Sequence, residues 1–115
     1  MNSRYTLKKN SDFRRLYAKG KSAVTPCLVL YCRRNRRGEN RHGFTVSAKL
    51  GHAVQRNRVR RRLREICRLN DPALKQGWDI VVVARSRAVG APYRKLESAY
   101  REACGKLGLM KEEQP

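Results

Sequence analysis

The chain has 115 residues, of which 28 are Lys or Arg and 9 are Asp or Glu, so its formal net charge is +19. This length fits one domain and is too short for a two-domain enzyme, while an apolar fraction of 40% is enough for one modest core. Apolar runs such as that from Ile80 to Ala84 are far below the roughly 20 residues of a membrane span. No secretory signal opens the chain, so we expect a cytoplasmic protein with no membrane partner.

A short helix is predicted after residues 1–9, which are polar and basic and are expected to form a loosely ordered arm. Asn10 or Ser11 can cap this helix, and Gly20 can end it. Its apolar side chains recur at helical spacing; they are Phe13, Leu16 and Tyr17.

Two strands are predicted next. The first covers residues 23–33 and has apolar or aromatic side chains on both faces, with Val29 and Tyr31 sharing one of them. The second covers residues 42–49, whose alternation points Phe44, Val46 and Ala48 inward. A hairpin-like connection from Arg33 to Arg41 contains five arginines, and the sequence assigns it no partner.

An arginine-rich amphipathic helix is predicted from about Val54 to Leu69. Its core stripe is Val59, Leu63, Ile66 and Cys67. At about 100° per residue, the opposite side carries Asn57, Arg61, Arg64 and Arg68. Seven of the thirteen residues from Arg56 to Arg68 are Arg, opposed only by Glu65. Like charges four residues apart destabilise a helix by a few tenths of a kcal/mol per pair, so this density favours binding to a polyanion over a merely solvated face.

The last two elements complete an α+β fold. Residues 78–85 form a strand whose continuous apolar run predicts burial at the centre of a sheet, and a helix follows Pro92. The tail from Gly108 is expected to fray. The order helix, strand, strand, helix, strand, helix predicts one small α/β sandwich.

The charge distribution points to nucleic acid. Residues 1–70 hold 20 basic and three acidic residues, whereas residues 71–115 hold eight and six. An excess of this size destabilises a small domain by self-repulsion, so we expect an anionic partner. Arg outnumbers Lys by 19 to 9, and the guanidinium fork suits phosphate better than an ammonium does.

Cysteine and histidine spacing gives no metal site. The four cysteines form no C-x-x-C pair, and no Cys lies at a zinc-like spacing from His42 or His52. We therefore expect reduced cysteines that pack as small apolar residues; they are Cys27, Cys32, Cys67 and Cys104.

Aromatic and basic side chains occur together near the first helix. Phe13 and Tyr17 lie one helical turn apart, beside a strand that presents Tyr31. Either they pack in the core, or they form a platform on which unpaired bases stack. The surrounding positive charges favour the second interpretation; they are Lys8, Lys9, Arg14, Arg15, Lys19 and Lys21.

Nuclease chemistry by the protein itself has little support. Hydrolysis by two metal ions requires converging carboxylates, and the basic part of the chain offers only Asp12, Glu39 and Glu65, from separate elements. A His42–His52 acid–base pair is the remaining alternative, although nothing in the sequence fixes its geometry. Any catalysis is therefore expected to use groups from another molecule.

Four segments resemble the bacterial ribonuclease P protein component, the small basic subunit of a ribozyme that trims precursor tRNA. The most specific is GHAVQRNRVRRRLR, from Gly51 to Arg64. The others are LKKNSDFRRLY from Leu7, LVLY from Leu28 and DIVVVAR from Asp79. The resemblance covers roughly residues 5–107.

This resemblance implies a fold and an activity. The fold would be a mixed sheet with three helices, similar to ribosomal protein S5 domain 2, with a left-handed βαβ crossover that the general right-handed rule does not predict. Residues 1–115 would form a single RNA-binding domain with an ordered core of about 5–107. The chain would be the non-catalytic subunit of an endoribonuclease that removes the 5′ leader of precursor tRNA, while the RNA subunit and substrate hold the Mg²⁺.

The resemblance also assigns residues to partners. The implied contacts to the catalytic RNA are Arg56, Asn57, Arg58, Arg60, Arg61, Arg64 and Arg68. The implied contacts to the leader of precursor tRNA are Phe13, Tyr17, Val29, Tyr31, Lys8 and Lys9. No residue is assigned to catalysis or to a metal.

Other functions remain alternatives. A ribosomal or general RNA-binding protein would share the size, charge and fold, but would not need an aromatic groove for single strands. A DNA-binding helix would follow a short helix and tight turn, whereas a strand precedes Arg56, so DNA is not expected as a partner. A membrane-active peptide would lack the central apolar strand.

Overall fold

The computed structural model describes residues 6–111 and has a four-stranded sheet with three helices, which confirms the predicted α+β class. In chain order the elements are α1 (Asn10–Lys19), β1 (Lys21–Val24), β2 (Leu28–Arg34), β3 (Arg41–Thr45), α2 (Ala53–Asn70), β4 (Trp78–Ala84) and α3 (Tyr93–Lys106). Within the described residues, none of the helices has the length and hydropathy needed to cross a bilayer.

The sheet is mixed, with the strand order β1-β2-β4-β3. Neighbours are antiparallel except β3 and β4, which are parallel and are joined by α2 as a crossover helix. This is the connection that the resemblance makes left-handed. The apolar strand β4 lies inside the sheet, as its sequence predicted.

The predicted strand 23–33 is wrong in one respect, because it is two strands joined by a tight turn. Pro26 lacks an N–H group and cannot continue a ladder, so the chain reverses there. Thr25 is buried and fixes the turn: its backbone N–H donates to the Leu28 carbonyl at 2.8 Å, and its hydroxyl accepts from the Leu28 N–H at 3.0 Å. The Arg85 guanidinium donates to the Thr25 carbonyl at 2.8 Å.

The two faces of the sheet have different surroundings. On β2, Leu28, Leu30 and Cys32 are buried in the main core with α2 and α3, whereas Val29 and Tyr31 are half-buried on the face that carries α1. The four cysteines are buried and free of disulfides, as expected. Burial raises the pKa of the Cys104 thiol to about 12.

β3 is shorter than predicted. It ends at Thr45, and residues 48–50 form a short 3₁₀ helix in which Ala48 is exposed rather than inward. Gly51 follows with φ of 139°, a conformation that disfavours side chains. A Cβ there would also collide with the Gln55 side chain.

The two ends of the described chain are more ordered than predicted. Leu7 is buried, and its N–H donates to the His42 carbonyl at 2.9 Å along the edge of β3. At the other end Leu109 is buried, and its carbonyl accepts from the Lys75 N–H at 2.7 Å. The remainder of the predicted loose arm and frayed tail, residues 1–5 and 112–115, lies outside the described residues.

Candidate nucleic-acid interface

The arginine face of α2 is the first part of the site. The helix begins at Ala53, where the Gln55 side chain accepts the His52 N–H at 2.9 Å. The predicted core stripe is buried, and it comprises Val59, Leu63, Ile66 and Cys67. Of the predicted RNA contacts, Arg56 and Arg60 are half-buried; the exposed ones are Asn57, Arg58, Arg61, Arg64 and Arg68.

The arginines on this face differ in whether they already form an ion pair within the protein. Arg68 donates to both Glu65 oxygens, at 2.7 and 3.2 Å, and these bonds hold the pKa of that carboxyl below its usual range. Within residues 6–111, no carboxylate forms an ion pair with Arg58, Arg61 or Arg64. These three are therefore the helix cations most available to phosphate.

Two further arginines of α2 also make contacts within the protein. Arg56 donates from Nε to the Gly51 carbonyl at 3.2 Å, which ties its side chain to the start of the helix. Arg62 donates to the Ala91 carbonyl at 3.1 Å and so links α2 to the loop before α3. Arg62, which was not among the predicted contacts, has a structural role.

An aromatic cluster on the other face of the sheet is the second part of the site. The Tyr17 and Tyr31 ring centroids lie 5.0 Å apart in an edge-to-face arrangement, and those of Phe13 and Tyr17 lie 6.5 Å apart. Val29 lies on the same face of β2 as Tyr31. Lys8 and Lys9, the other predicted contacts to the leader, are exposed immediately before α1.

Phe13 and Tyr17 have different environments. Tyr17 is 40% exposed, and its hydroxyl is hydrogen-bonded to the Thr45 hydroxyl at 2.7 Å. The half-buried Phe13 ring covers Gly43, where a Cβ would lie 2.7 Å from Cζ, and packs with Leu7 and other apolar residues. Phe13 thus supports α1, whereas Tyr17 offers a ring to a ligand.

A groove of about 670 Å³ runs beside these rings, between α1, the end of β3 and α2. It is lined by Asn10, Phe13, Arg14, Tyr17, Phe44, Thr45, Val46 and Arg60. Phe44 and Thr45 line the groove, although they were not among the residues predicted to contact RNA. The strand alternation placed Thr45 on the face opposite the core, which is the one signal that could have identified it.

The groove and the arginine face of α2 are continuous. Arg60 lines the groove and also an adjoining depression of about 440 Å³ on α2, where its guanidinium donates to the Asn57 side chain at 3.0 Å. The other residues of this depression are Val54, Asn57, Arg61 and Arg64. One ligand, or two in contact, could therefore extend from the aromatic rings to the helix arginines.

The two histidines do not form an acid–base pair at this site. His42 is 2% exposed, and its Nε2 lies 3.2 Å from Asp71 Oδ1, so a substrate cannot reach it. His52 is exposed at the start of α2. Among the residues that the structure describes, no three His, Cys, Asp or Glu side chains converge as a metal site would require.

Comparison with known proteins identifies a family model and similar sequences that match most of the chain. The family model described as Ribonuclease P matches residues 1–108. The chain is 46% identical over 104 residues to the Ribonuclease P protein component of Alkaliphilus oremlandii, covering 90% of this chain and 91% of that protein.

Solved structures agree with this match. The Staphylococcus aureus RNase P protein superimposes with a TM-score of 0.85 at 31% identity, covering 93% of this chain and 98% of that one. The Thermotoga maritima RNase P protein gives a TM-score of 0.78 at 29% identity, covering 84% and 92%. The chain belongs to the bacterial ribonuclease P protein component family.

Proposed function

We propose that this chain acts in the cytoplasm as the RNA-binding subunit of ribonuclease P and assists removal of the 5′ leader from precursor tRNA. Membership of the family supports the activity. The positions of the arginine face of α2 and of the aromatic groove support a separate ligand for each surface. The arginine face of α2 binds the catalytic RNA, and the aromatic groove binds the single-stranded leader.

The arginine face suits a structured RNA because its available cations project from one rigid helix. Arg58, Arg61 and Arg64 are exposed, and guanidinium groups bind phosphate oxygens in a bidentate manner. Such contacts release counterions from the RNA, so affinity falls steeply with salt concentration. They carry little sequence information, which fits a subunit that positions an RNA.

The groove suits unpaired nucleotides because it combines an exposed ring with nearby charge. A base can stack on Tyr17, while Arg14 and Arg60 in the groove lining bind the adjoining phosphates. Stacking of this kind contributes about 1–3 kcal/mol per base. Mature tRNA has no leader, so this contact favours the precursor.

The chemistry is assigned to the RNA subunit. The described residues offer no cluster of carboxylates or histidines for Mg²⁺: Asp79 binds Arg41, Asp71 binds His42 and Glu65 binds Arg68. RNA phosphates and the substrate would hold the Mg²⁺ ions, and the protein contributes binding and orientation.

The observation that carries this proposal is the continuity of the groove and the arginine face through Arg60. The test measures the affinities of precursor and mature tRNA for the reconstituted holoenzyme. Tyr17→Ala is expected to weaken precursor binding by about 5- to 150-fold, the equivalent of one stacked base, and to leave mature tRNA binding nearly unchanged. Tyr17→Phe keeps the ring and loses only an exposed hydrogen bond, so it should behave like the wild type.

Two results would contradict the proposal. An equal loss for both tRNAs in a folded Tyr17→Ala protein would make the groove a general RNA-binding surface, as in a ribosomal or general RNA-binding protein. Cleavage of precursor tRNA by RNA-free protein would move the chemistry to the protein. Thermal melts of each variant show whether it is folded.

A further inference from the structure

A pocket of about 730 Å³ lies beside α3, and the proposed function leaves it without a role. Its walls are the turn between β1 and β2, the loop between β4 and α3, and one side of α3 itself. It shares no lining residue with the groove or with the adjoining depression on α2. We call it the α3 pocket. Its volume falls within the range of about 300–1,000 Å³ that is typical of sites for small molecules.

Hydrogen bonds hold two walls of the α3 pocket in place. The Arg85 N–H donates to the Cys27 carbonyl at 2.9 Å, and the Arg85 guanidinium donates to the Thr25 carbonyl at 2.8 Å. These bonds tie the loop after β4 to the turn before β2. Near the other end of the loop, the Ala91 carbonyl accepts from the Arg62 guanidinium at 3.1 Å. A pocket that is ordered before binding loses less conformational entropy when a ligand arrives.

The inner surface of the α3 pocket is apolar. Its most buried lining residues are Cys27, Ala91 and Ala99, and Val89 beside them is half-buried. Among the described residues that line the pocket, none is aromatic, so an unpaired base would find no ring on which to stack. This surface therefore suits a small hydrocarbon group better than a nucleotide.

Positive charge lies at the edge of the α3 pocket. Arg87 and Lys95 both line it and are exposed, and within residues 6–111 neither forms an ion pair. The lining also includes the Glu102 carboxylate, which lies 3.7 Å from the Lys106 ammonium. That charge is therefore already balanced, and the two unpaired cations are complementary to an anionic group.

The combination of an apolar surface and two unpaired cations favours a small molecule over RNA. Backbone phosphates could bind the two cations, but an RNA backbone is polar and would leave the buried apolar surface without a partner. A molecule with a hydrocarbon part and one anionic group would use both features. A carboxylate is the group that best matches the guanidinium fork of Arg87.

We propose that the α3 pocket is a binding site for a small apolar carboxylate. The hydrocarbon part packs against Cys27, Ala91 and Ala99, and the carboxylate lies beside Arg87 and Lys95. This inference goes beyond the proposed function and does not depend on it, because the α3 pocket and the two RNA-binding surfaces have separate lining residues.

The test uses two probes that differ only in the head group, 4-phenylbutyrate and the neutral 4-phenylbutan-1-ol. Each is titrated into the full chain labelled with nitrogen-15, and amide NMR spectra report which residues respond. We expect saturable shifts at the amides of Cys27, Gly90, Ala91 and Ser98, with the carboxylate binding more tightly than the alcohol. Shifts centred on α2, no saturable shift, or equal affinity for the two probes overturns the inference.

Two double variants that each remove two positive charges test the role of the cations. Arg87→Gln/Lys95→Gln should weaken 4-phenylbutyrate binding by about 2- to 30-fold, the equivalent of two exposed ion pairs, and should leave the affinity for the alcohol unchanged. The matched control is Lys75→Gln/Arg94→Gln, which alters exposed residues outside the pocket and should bind both probes like the wild type. An equal loss in the control would show general attraction to a cationic protein and would overturn the inference.

A third variant tests the apolar surface. Ala99→Leu should weaken the binding of both probes by about tenfold or more, because the added side chain occupies the surface that the phenyl ring would cover. Wild-type affinity in a folded Ala99→Leu protein would overturn the inference. Ala99 is buried, so a thermal melt accompanies this variant. The charge variant alters only exposed side chains and remains decisive if Ala99→Leu does not fold.

A last measurement separates a ligand pocket from a further RNA contact. Arg87→Gln/Lys95→Gln should bind a transcribed bacterial ribonuclease P RNA as tightly as Lys75→Gln/Arg94→Gln does. If it binds the RNA less tightly than this control while its affinity for 4-phenylbutyrate stays at the wild-type value, the two cations serve RNA and the inference is overturned.

Discussion

Substituting Gly43 by Ala tests how the aromatic groove is built, without replacing any of the side chains predicted to contact RNA. Gly43 is buried in β3 beneath the Phe13 ring, and a Cβ there would lie 2.7 Å from Cζ of that ring and 3.1 Å from Cβ of Leu7. Ordinary contact starts at 3.4 Å, so the ring must move by about 0.7 Å. Overpacking of this kind costs about 1–3 kcal/mol.

The same Gly→Ala substitution at an exposed glycine should raise the free energy of unfolding instead of lowering it. Ala in place of Gly gains about 0.5–1 kcal/mol through backbone entropy, so the free energy of unfolding of Gly43→Ala should fall by a net amount of up to about 2.5 kcal/mol. Gly105 is exposed within α3 and has open space around a Cβ. Gly105→Ala should therefore gain about 0.5–1 kcal/mol. Urea titrations at constant m-value measure both changes.

The shift of Phe13 should also be visible in binding. Tyr17 follows Phe13 by one turn of α1, so Gly43→Ala should weaken holoenzyme binding of precursor tRNA more than that of mature tRNA. Phe13→Leu in the Gly43→Ala background should recover part of the stability, with a coupling energy of about 0.5–3 kcal/mol. A Gly43→Ala protein as stable as Gly105→Ala, with no such coupling, would refute the packing of Phe13 on Gly43.

Three further predictions concern charge, pH and thiol chemistry. Arg61→Glu/Arg64→Glu should stay folded, because both side chains are exposed. Its affinity for catalytic RNA should fall, and the slope of log affinity against log salt concentration should be shallower by about 1.4–1.8. An unchanged slope would show that this face of α2 does not bind the RNA. Burial tends to raise the pKa of the Asp71 carboxyl, but hydrogen bonds from His42 and Asn40 outweigh it and hold that pKa below its usual range. The stabilisation is therefore present above the unfolded pKa of about 3.9 and is lost as the pH falls through the lower folded value. Urea titrations should show that Asp71→Asn is less stable than the wild type at neutral pH and that this difference in free energy of unfolding narrows in acid. A difference that does not depend on pH would contradict this. Burial raises the pKa of Cys104 to about 12 and also raises that of Cys67. A thiol reagent at neutral pH should therefore modify these two cysteines only after the protein is unfolded in urea. Mass spectrometry measures the labelling, and a label on either cysteine in the native protein would contradict the prediction.

The arginine face of α2 could be predicted because its pattern lies within one element. Helical periodicity alone separates Val59 and Leu63 from Arg61 and Arg64, and the structure has the first two buried and the last two exposed. The central position of β4 was predictable for a similar reason. A strand whose side chains are apolar on both faces is stable only where other elements cover both faces, as inside a sheet.

The groove could be predicted only in part, because it is made where three elements meet. Phe13 and Tyr17 are detectable from spacing along α1, but Thr45 and Arg60 line the groove only because the fold brings the end of β3 and α2 near α1. The single strand predicted over residues 23–33 was wrong because periodicity reports which residues are apolar and not where the chain reverses. Pro26 was the relevant signal.

The turn between β1 and β2 has a consequence for evolution and engineering. The bonds between Thr25 and Leu28 set which residue of β2 follows the turn, and a slip of one residue would exchange the two faces of the strand. Leu30 and Cys32 would then face outward, and Val29 and Tyr31 would enter the core. The face of β2 that lies beside the proposed leader site thus depends on a turn remote from the groove, so a substitution at Thr25 is expected to change precursor tRNA binding as a substitution in the groove would.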